Sequence, residues 1–324
     1  MDVESITLRD IYLARQRIAG LARRTPLVQS HNLSRQTGTN VYLKLENLQE
    51  TGAFKIRGAA NRLLSLTTDE QKRGVVTVST GNHGRGVAFV AQKLGIRAVI
   101  CVPALVLPHK VEAMRQLSAE VIIQGKTQDE AEENALRLQA EQGLTMVSPF
   151  DDPYIIAGQG TIGLELLEDL PQIDTVVIPL SGGGLLGGIA LALKTASPSI
   201  RVIGAAQMLG PAMHLSLQAG KPVPVVEEPS LADSLIGGIG LDNRYTFALC
   251  QQVIDDVVLL TEAEIAATMT YALRQERLIV EGGAAVGLGA LLHHKITKLG
   301  NNVGVVVSGG NVDMAKLLKL AASA

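Results

Sequence analysis

Short, continuous apolar runs alternate along this 324-residue chain with segments whose apolar positions follow helical spacing. The apolar runs, rich in β-branched residues, predict strands at 41–45, 74–79, 98–102, 121–123, 175–179, 202–206 and 303–307. Helical spacing predicts helices at 8–22, 54–66, 87–94, 109–117, 128–142 and 189–194. Strands that are apolar throughout and lie between helices are typical of parallel sheets covered on both faces. The pattern therefore predicts an α/β fold of doubly wound lobes with mainly parallel sheets.

The length of the chain indicates two α/β domains or lobes, since it exceeds the size of one typical core. We expect a small lobe at 70–150, inserted into a large lobe formed by 1–69 and 151–324. A further helix is predicted after Thr261-Glu-Ala-Glu264, which has the pattern of a capping box. The cleft between the lobes is the expected ligand site, and the small lobe is expected to close over it.

The composition supports a large buried core and argues against several classes of partner. Apolar residues make up 47% of the chain and charged residues 19%, which is unlike a disordered protein. A net charge of −2, with four Phe, five Tyr and no Trp, offers nucleic acid neither a basic nor a stacking surface. Because no long uncharged apolar stretch and no signal-peptide pattern occur, we expect a soluble cytoplasmic protein that does not enter a membrane. Cys101 and Cys250 lie in separate apolar runs and are interpreted as buried thiols.

A glycine-rich turn, Ser181-Gly-Gly-Gly-Leu-Leu-Gly-Gly188, lies between a predicted strand and a predicted helix. Such a turn presents backbone N–H groups and a helix N-terminus to an anion such as phosphate, although it can also simply pack a helix on a sheet. The spacing Gly182-x-Gly184-x-x-Gly187 fits a dinucleotide fingerprint, but that site needs an acidic residue after the next strand. That strand ends in Gln207, which favours a compact phosphorylated cofactor.

Lys55 begins a predicted helix directly after Phe54. A helix N-terminus disfavours a positive charge, and the neighbouring Phe54 and Ile56 would partly desolvate the amine. Both effects favour a lowered pKa and an amine able to form a Schiff base, whereas a lysine such as Lys55 taken alone is more often a solvated surface residue. A reactive lysine together with a phosphate site is what pyridoxal 5′-phosphate requires.

Five segments together resemble the signatures of the fold type II pyridoxal-phosphate enzymes, whose architecture is tryptophan synthase β-like. They are Lys44-Leu-Glu-Asn47, Thr51-Gly-Ala-Phe-Lys-Ile-Arg-Gly58, Ser79-Thr-Gly-Asn-His-Gly84, the turn at 181–188 and Ser308-Gly-Gly-Asn-Val-Asp313. The motifs occur in the family's order along nearly the whole chain, and they most resemble the branch of threonine/serine dehydratases and serine racemases. The resemblance implies a pyridoxal-phosphate-dependent lyase that acts on a small amino acid and forms a homodimer.

The resemblance also implies which residues contact the cofactor and the substrate. Lys55 would bind the cofactor as a Schiff base and move the α-proton, Phe54 would support the ring, and Asn82 would hydrogen-bond the 3′-oxygen. The backbone N–H groups that would bind the phosphate are those of Gly182, Gly183, Gly184 and Leu185. Ser308 would meet the pyridine nitrogen. The residues that would hold the substrate carboxylate are Ser79, Thr80, Gly81 and His83.

The expected contact of Ser308 has a mechanistic consequence. A hydroxyl is too weak an acid to keep the pyridine nitrogen protonated, so a long-lived carbanion is disfavoured. Loss of a β-leaving group as the α-proton departs relieves that charge and favours β-elimination, after which the enamine hydrolyses to a 2-oxo acid and ammonia. Hydroxide leaves poorly unless it is protonated, and the expected donor is the cofactor phosphate or the Thr80 hydroxyl.

Three positions depart from the common pattern of the family. Gln207 stands where related enzymes often carry a metal-binding glutamate, and because a carboxamide is a poor magnesium or calcium ligand, no metal site is expected. Ser234 replaces a glycine on the substrate side and is expected to bind substrate and influence specificity. Thr80 replaces the serine that serves racemases as an acid on the opposite face, which lowers the expected racemisation.

A narrower resemblance, to the hydroxyectoine-utilisation dehydratases of bacteria, comes from three further segments. They are Pro149-Phe-Asp-Asp152, the stretch 158–168 and Gly240-Leu-Asp-Asn-Arg244. Intact hydroxyectoine has no free α-amine, so the predicted substrate is its ring-opened product, a 3-hydroxy-2,4-diaminobutyrate in acetylated or deacetylated form. The alternatives are a general threonine/serine dehydratase or serine racemase, a β-replacement transferase of the same fold, and a non-catalytic cofactor-binding protein.

Overall fold

The computed structural model describes residues 6–79, 81–104, 106, 108–126 and 128–322. The strands within these residues are β1 (Leu27–Gln29), β2 (Asn40–Leu45), β3 (Val75–Val78), β4 (Ala98–Val102), β5 (Glu120–Ile123), β6 (Thr145–Met146), β7 (Thr175–Pro179), β8 (Arg201–Gln207), β9 (Asp256–Leu260) and β10 (Asn302–Val307). They form a six-stranded sheet in the order β1-β2-β10-β7-β8-β9 and a four-stranded sheet in the order β5-β4-β3-β6.

The helices accompany the strands in the alternation that the sequence predicts. They are α1 (Leu8–Arg17), α2 (His31–Thr37), α3 (Lys55–Leu64), α4 (Thr68–Arg73), α5 (Asn82–Leu94), α6 (Pro108–Arg115), α7 (Gln128–Gln142), α8 (Pro153–Asp169), α9 (Gly184–Ala196), α10 (Ala212–Ala219), α11 (Thr246–Val253), α12 (Glu262–Tyr271), α13 (Gly282–Leu292) and α14 (Met314–Ala322). One-turn 3₁₀ segments lie at Glu46–Leu48 and Asp233–Leu235. A π-helical turn at Ala272–Glu276 continues α12.

The strand pairs are parallel in both sheets, apart from the antiparallel pair of β1 and β2. The predicted α/β fold with mainly parallel sheets is therefore confirmed. The β1 strand was not predicted, because three residues are too few to show a hydrophobic period. Since β2, β10, β7 and β8 run in the same direction, the segments that follow them emerge at the same edge of the sheet.

Local sequence signals explain where several helices begin. Thr261 Oγ1 accepts the Glu264 N–H at 3.3 Å, and the Glu264 carboxylate accepts the Thr261 N–H at 2.8 Å. This arrangement confirms the predicted capping box of α12. Asp152 Oδ1 accepts the N–H groups of Tyr154 and Ile155 at 2.8 and 3.0 Å, so the start of α8 is equally well defined.

The six-stranded sheet separates two apolar cores. Alternation along β7 directs Val176 and Ile178 to one core and Val177 to the other. The core on the Val177 side also contains buried residues of α12 and α13, among them Ile265, Met269, Ala284 and Leu288. The core on the opposite side contains buried residues of α8 and α9, among them Ile162, Leu166, Leu186 and Ile189. Both faces of the sheet are thus covered, which explains its uninterrupted apolar strands.

A buried cluster of charged side chains connects β2, α3 and α8. The Arg57 guanidinium lies 2.8 Å from Glu46 Oε1 and 2.6 Å from Glu165 Oε1. Lys44 Nζ lies 2.6 Å from Glu165 Oε2. Each of these four side chains is buried. Because Arg57 follows Lys55 by two residues, the cluster holds the first turn of α3 in place.

The four-stranded sheet is formed by strands between residues 75 and 146, which fall inside the predicted inserted lobe. The predicted boundaries at 69/70 and 150/151 stay a proposal. Cys101 and Cys250 are both buried free thiols, as the sequence indicates. Within the described residues, no helix is long and apolar enough to span a membrane.

Candidate active site

Lys55 is the first residue of α3, next to the carboxyl end of β10. The Phe54 N–H donates to the Ser308 carbonyl at 3.0 Å, so the turn before Lys55 is joined to the residue that follows β10. Lys55 Nζ donates to the Pro149 carbonyl at 2.5 Å and lies 5.3 Å from the centre of the Phe54 ring. Burial lowers the pKa of Lys55 to about 8, against the opposing influence of the Glu281 carboxylate.

Asn82, Glu281 and Asn311 meet beside this lysine through direct hydrogen bonds. Asn82 Nδ2 donates to Glu281 Oε1 at 2.6 Å, and Asn311 Nδ2 donates to Asn82 Oδ1 at 2.7 Å. The backbone N–H of Asn311 donates to Glu281 Oε2 at 3.2 Å. Asn82 begins α5, whereas Glu281 precedes α13. The cluster therefore connects helices that belong to the two different sheets.

Glu281 is buried, with an exposed fraction of 5%. Burial raises its pKa to about 7, and the negative charge of Asp233 adds to that effect. Hydrogen bonds from Asn82, Ser234 and the Asn311 backbone act in the opposite direction. The family resemblance suggests a carboxylate near the cofactor ring at Glu281, but Glu281-Gly-Gly283 taken alone indicates a helix-end turn, so Glu281 is not among the predicted site residues.

The predicted phosphate site is a tight turn at the start of α9. Gly183 has a φ of +86°, in the left-handed region that favours glycine, and Gly184 is the first helical residue. An added Cβ at Gly183 would lie 2.7 Å from Met213 Cε and 2.8 Å from Cys250 Sγ. An added Cβ at Gly182 would overlap the Phe150 ring. The N–H groups of 182–185 therefore lie at a helix N-terminus from which side chains are excluded.

The residues predicted to hold the substrate carboxylate lie between β3 and α5. Ser79 Oγ accepts the Gly81 N–H at 3.2 Å. His83 is buried, and its Nε2 lies 3.1 Å from the Val147 carbonyl, so Nε2 carries the proton. Burial and the nearby Lys55 lower the pKa of His83 to about 3, which leaves the ring uncharged. Thr80, the other predicted member of this group, lies outside the described residues.

Ser234 precedes Glu281 in the sequence and Ser308 follows it. Ser308 directly follows β10 and is buried, with an exposed fraction of 4%. Ser234 lies in the 3₁₀ segment Asp233–Leu235, and its hydroxyl is hydrogen-bonded to Glu281. Asp233 also accepts a hydrogen bond from Lys110 of α6 at 2.8 Å.

Gln207 lies at the end of β8, buried beside the same 3₁₀ segment. Its Nε2 donates to the Leu235 carbonyl at 3.2 Å, which also accepts the Ser181 hydroxyl at 3.0 Å. Gln207 Oε1 has no hydrogen-bond partner among the described residues. Within the described residues, no three His, Cys, Asp or Glu side chains form a group that could hold a metal ion.

The residues present fit pyridoxal 5′-phosphate. Lys55 is an amine whose lowered pKa leaves a substantial neutral fraction near neutral pH, as Schiff-base chemistry requires. The turn at Gly182 and Gly183 can surround an anion with backbone N–H groups. A Cβ at either glycine would overlap neighbouring side chains and distort this turn. The Asn82 amide is hydrogen-bonded to Glu281, whose charge acts on Lys55, and the Ser308 carbonyl accepts the N–H of Phe54 directly before the lysine.

Comparison with known proteins gives matches along nearly the whole chain. A model of the family described as pyridoxal-phosphate dependent enzyme matches residues 18–309. A predicted threonine dehydratase of Sinorhizobium fredii is 50% identical over 313 residues, which cover 97% of this chain and 94% of that protein. The L-threonine ammonia-lyase of Thermotoga maritima is 44% identical over 309 residues, which cover 95% of this chain and 76% of that protein. The structure of maize serine racemase has a TM-score of 0.93 at 34% identity and covers 98% of both chains.

These matches confirm pyridoxal phosphate as the cofactor and a pyridoxal-phosphate-dependent lyase related to threonine dehydratases. They also confirm the resemblance to the branch of threonine dehydratases and serine racemases, whereas the narrower one to hydroxyectoine-utilisation dehydratases stays a prediction. Since the family model covers residues 18–309 and the topology agrees, the chain belongs to the pyridoxal-phosphate dependent enzymes of fold type II.

Proposed function

We propose that this enzyme removes the β-hydroxyl group of a short β-hydroxy α-amino acid as water, by β-elimination with loss of the α-proton. Hydrolysis of the released enamine then gives a 2-oxo acid and ammonia. The observation that carries the proposal is the position of Lys55, a buried amine with a pKa lowered to about 8. It lies next to Ser308, the residue expected to leave the pyridine nitrogen unprotonated. When bound, the cofactor supplies an electron sink for the substrate α-carbon.

The remaining roles belong to side chains and backbone groups of the chain itself. Lys55 Nζ takes the α-proton, because the neutral amine is a base of suitable strength near neutral pH. The N–H groups at 182–185 would hold the phosphate, and Phe54 would support the ring. The substrate carboxylate is held by Ser79 and by the backbone N–H groups of Gly81 and His83. An uncharged His83 ring cannot form an ion pair with that carboxylate, so its contribution comes from the backbone.

Two substrate classes are compatible with this chemistry. The relatives named for threonine favour L-threonine, and the similarity to maize serine racemase favours L-serine. The carboxyl groups of Asp233 and Glu281, together with the Ser234 hydroxyl, favour a substrate with an additional hydrogen-bond donor. A 3-hydroxy-2,4-diaminobutyrate derived from ring-opened hydroxyectoine carries such a donor on its γ-nitrogen. We propose this compound as the specific substrate, with L-threonine and L-serine as the general alternative.

The test is release of 2-oxo acid by the purified holoenzyme from four compounds in parallel: L-threonine, L-serine, ring-opened hydroxyectoine and the intact ring. The Lys55→Ala variant is the matched control and is expected to lose about 10²–10⁴-fold in rate. Release only from the ring-opened compound would support the specific substrate, and rapid release from threonine or serine would replace it with the alternative. Turnover of the intact ring would contradict the requirement for a free α-amine. Release from none of the four would contradict the dehydratase proposal.

The same preparation tests two other expectations. β-Replacement in the presence of sulfide would indicate a transferase instead of a lyase. The mass of the protein in solution tests the homodimer expected from the resemblance. The cytoplasmic location is not addressed by these measurements and stays a prediction.

A further inference from the structure

We propose that Arg85 and Asn311 are positioning residues that determine which atom of the Asn82 amide faces the cofactor. The inference rests on the cofactor contact proposed above for Asn82. It goes beyond that contact, because it assigns the orientation of the amide to a directed chain of hydrogen bonds. The chain begins at a group that can only donate.

Arg85 lies one turn after Asn82 on α5, and its Nη1 donates to Asn311 Oδ1 at 2.8 Å. A guanidinium group has no acceptor, so the Asn311 atom that faces it must be the oxygen. On its other side, Asn311 Nδ2 donates to the Thr51 carbonyl at 2.8 Å, an atom that can only accept. Two independent partners therefore determine the orientation of the Asn311 amide.

That orientation is passed on to Asn82. Asn311 Nδ2 donates to Asn82 Oδ1 at 2.7 Å, which places the Asn82 nitrogen against Glu281 Oε1 at 2.6 Å. An amide nitrogen carries two N–H groups. Within the residues that the structure describes, Asn82 Nδ2 donates one hydrogen bond, to Glu281. The second N–H is available to an oxygen of the cofactor, whereas the reverse orientation would turn a carbonyl oxygen toward it.

The surrounding backbone leaves little room for rearrangement. An added Cβ at Gly52 would lie 2.5 Å from Asn311 Oδ1, and an added Cβ at Gly309 would lie 2.6 Å from Glu281 Oε1. The amide and the carboxylate are therefore in close contact with the turns before α3 and after β10. We call the hydrogen bonds from Arg85 through Asn311 to Asn82 the relay. Since Arg85 and Asn82 belong to a helix of the four-stranded sheet, the relay also depends on the position of that helix relative to these turns.

The test compares wild-type holoenzyme with Asn311→Asp, Arg85→Met and Arg85→Lys, using Asn82→Ala as the reference. Asn40→Asp, at an exposed amide that donates to Asn302, is the matched control. The measurements are the dissociation constant of pyridoxal phosphate and the position and pH dependence of its visible absorbance band in the protein. Asn311→Asp and Arg85→Met should raise the dissociation constant by about tenfold and shift the band in the direction seen for Asn82→Ala. Arg85→Lys, which still donates, should restore most of the wild-type behaviour, and Asn40→Asp should have no effect.

A wild-type dissociation constant and band in Asn311→Asp and Arg85→Met would overturn the proposal. So would a lower melting temperature with an unchanged band, since that result indicates a purely structural role. If Asn311→Asp fails to fold, the pair Arg85→Met and Arg85→Lys decides by the same criteria. A wild-type spectrum in Asn82→Ala would overturn both the relay and the proposed contact of Asn82. None of these measurements uses substrate, so a wrong substrate assignment would leave their outcome unaffected.

Discussion

Asn82 Nδ2 donates a hydrogen bond of 2.6 Å to Glu281 Oε1, although the two residues are 199 positions apart. Asn82 begins a helix of the four-stranded sheet, and Glu281 precedes a helix that packs on the six-stranded sheet. The bond therefore connects the two sheets beside Lys55. Because the pKa of Glu281 is raised to about 7, the charge at this junction changes near neutral pH.

The first prediction concerns the stability of the cofactor-free enzyme and the variant Glu281→Gln. The pKa of Glu281 is raised from 4.5 to about 7, so the folded state binds a proton that the unfolded state releases between these values. The free energy of unfolding should therefore fall as pH rises through this window, by roughly 3 kcal/mol. Glu281→Gln should lack this loss. Urea denaturation at pH values below and above the window measures it.

Glu120→Gln is the control for this measurement, because Glu120 forms only an exposed ion pair with Arg97. It should keep the wild-type dependence on pH. Equal pH profiles for wild type and Glu281→Gln would contradict the raised pKa of this carboxyl group.

The second prediction concerns the rate at which pyridoxal phosphate combines with the cofactor-free protein. Only the neutral amine of Lys55 attacks an aldehyde, and burial lowers its pKa to about 8. The rate should rise with pH and level off above about 8, well before the value of 10.5 expected for a solvated lysine. Stopped-flow absorbance measures it, with Lys55→Ala as the variant that cannot form the product band. A rise that continues toward pH 10 would indicate a solvated lysine.

The third prediction concerns the buried cluster behind the first turn of α3. Glu165→Gln or Arg57→Met leaves a buried charge without its partner, which should lower the free energy of unfolding by about 3–5 kcal/mol. Arg137→Met is the matched control, because the Arg137–Glu141 pair is half exposed and should contribute about 0–1 kcal/mol. Urea denaturation of the holoenzymes compares them. Similar losses for both arginine variants would show that the buried cluster contributes little.

The fourth prediction concerns Gly183 in the phosphate turn, with Gly95 as its matched control. Both residues have positive φ, +86° and +67°, so alanine strains the backbone at either position by about 1 kcal/mol. An added Cβ has nothing within 4 Å at Gly95, whereas at Gly183 it meets Met213 and Cys250.

Gly183→Ala should therefore raise the dissociation constant of pyridoxal phosphate by about tenfold or more, and Gly95→Ala should leave it unchanged. Titration of the cofactor-free variants followed by cofactor absorbance gives both values. Equal affinities in the two variants would argue against phosphate binding at this turn.

Local patterns in the sequence predicted several elements well. The capping box at Thr261 and the glycine turn before α9 are formed by residues a few positions apart, so their signals are complete within one short segment. Helix α8 was not predicted, because it is buried around most of its circumference and carries glycines at 158, 160 and 163. Its hydrophobic period is therefore weak. The helix nevertheless supplies Glu165 to the charged cluster and packs closely on α9.

The site shows the same division. Lys55, Asn82, Ser308 and the glycine turn were predicted as site residues because each lies in a short motif, and the motifs of Asn82, Ser308 and the glycine turn directly follow strands. The role of Asn311 was not recognised from the sequence, and Glu281 taken alone indicated a helix-end turn, since the partners of both residues lie in distant segments. Asn311 is 229 positions from Asn82, and no local spacing relates the two residues.

The sequence by itself thus determined the alternation of strands and helices, the family, the cofactor and the lysine expected to bind it. These features depend on short motifs and on hydrophobic periods, which are local properties of a chain. The tertiary structure alone decided the size of the lowering of the Lys55 pKa, the pKa values of His83 and Glu281, and the direction of the amide groups around them. A pKa depends on burial and on neighbouring charges, and an amide's orientation depends on its hydrogen-bond partners. Both are supplied here by segments that only folding brings together.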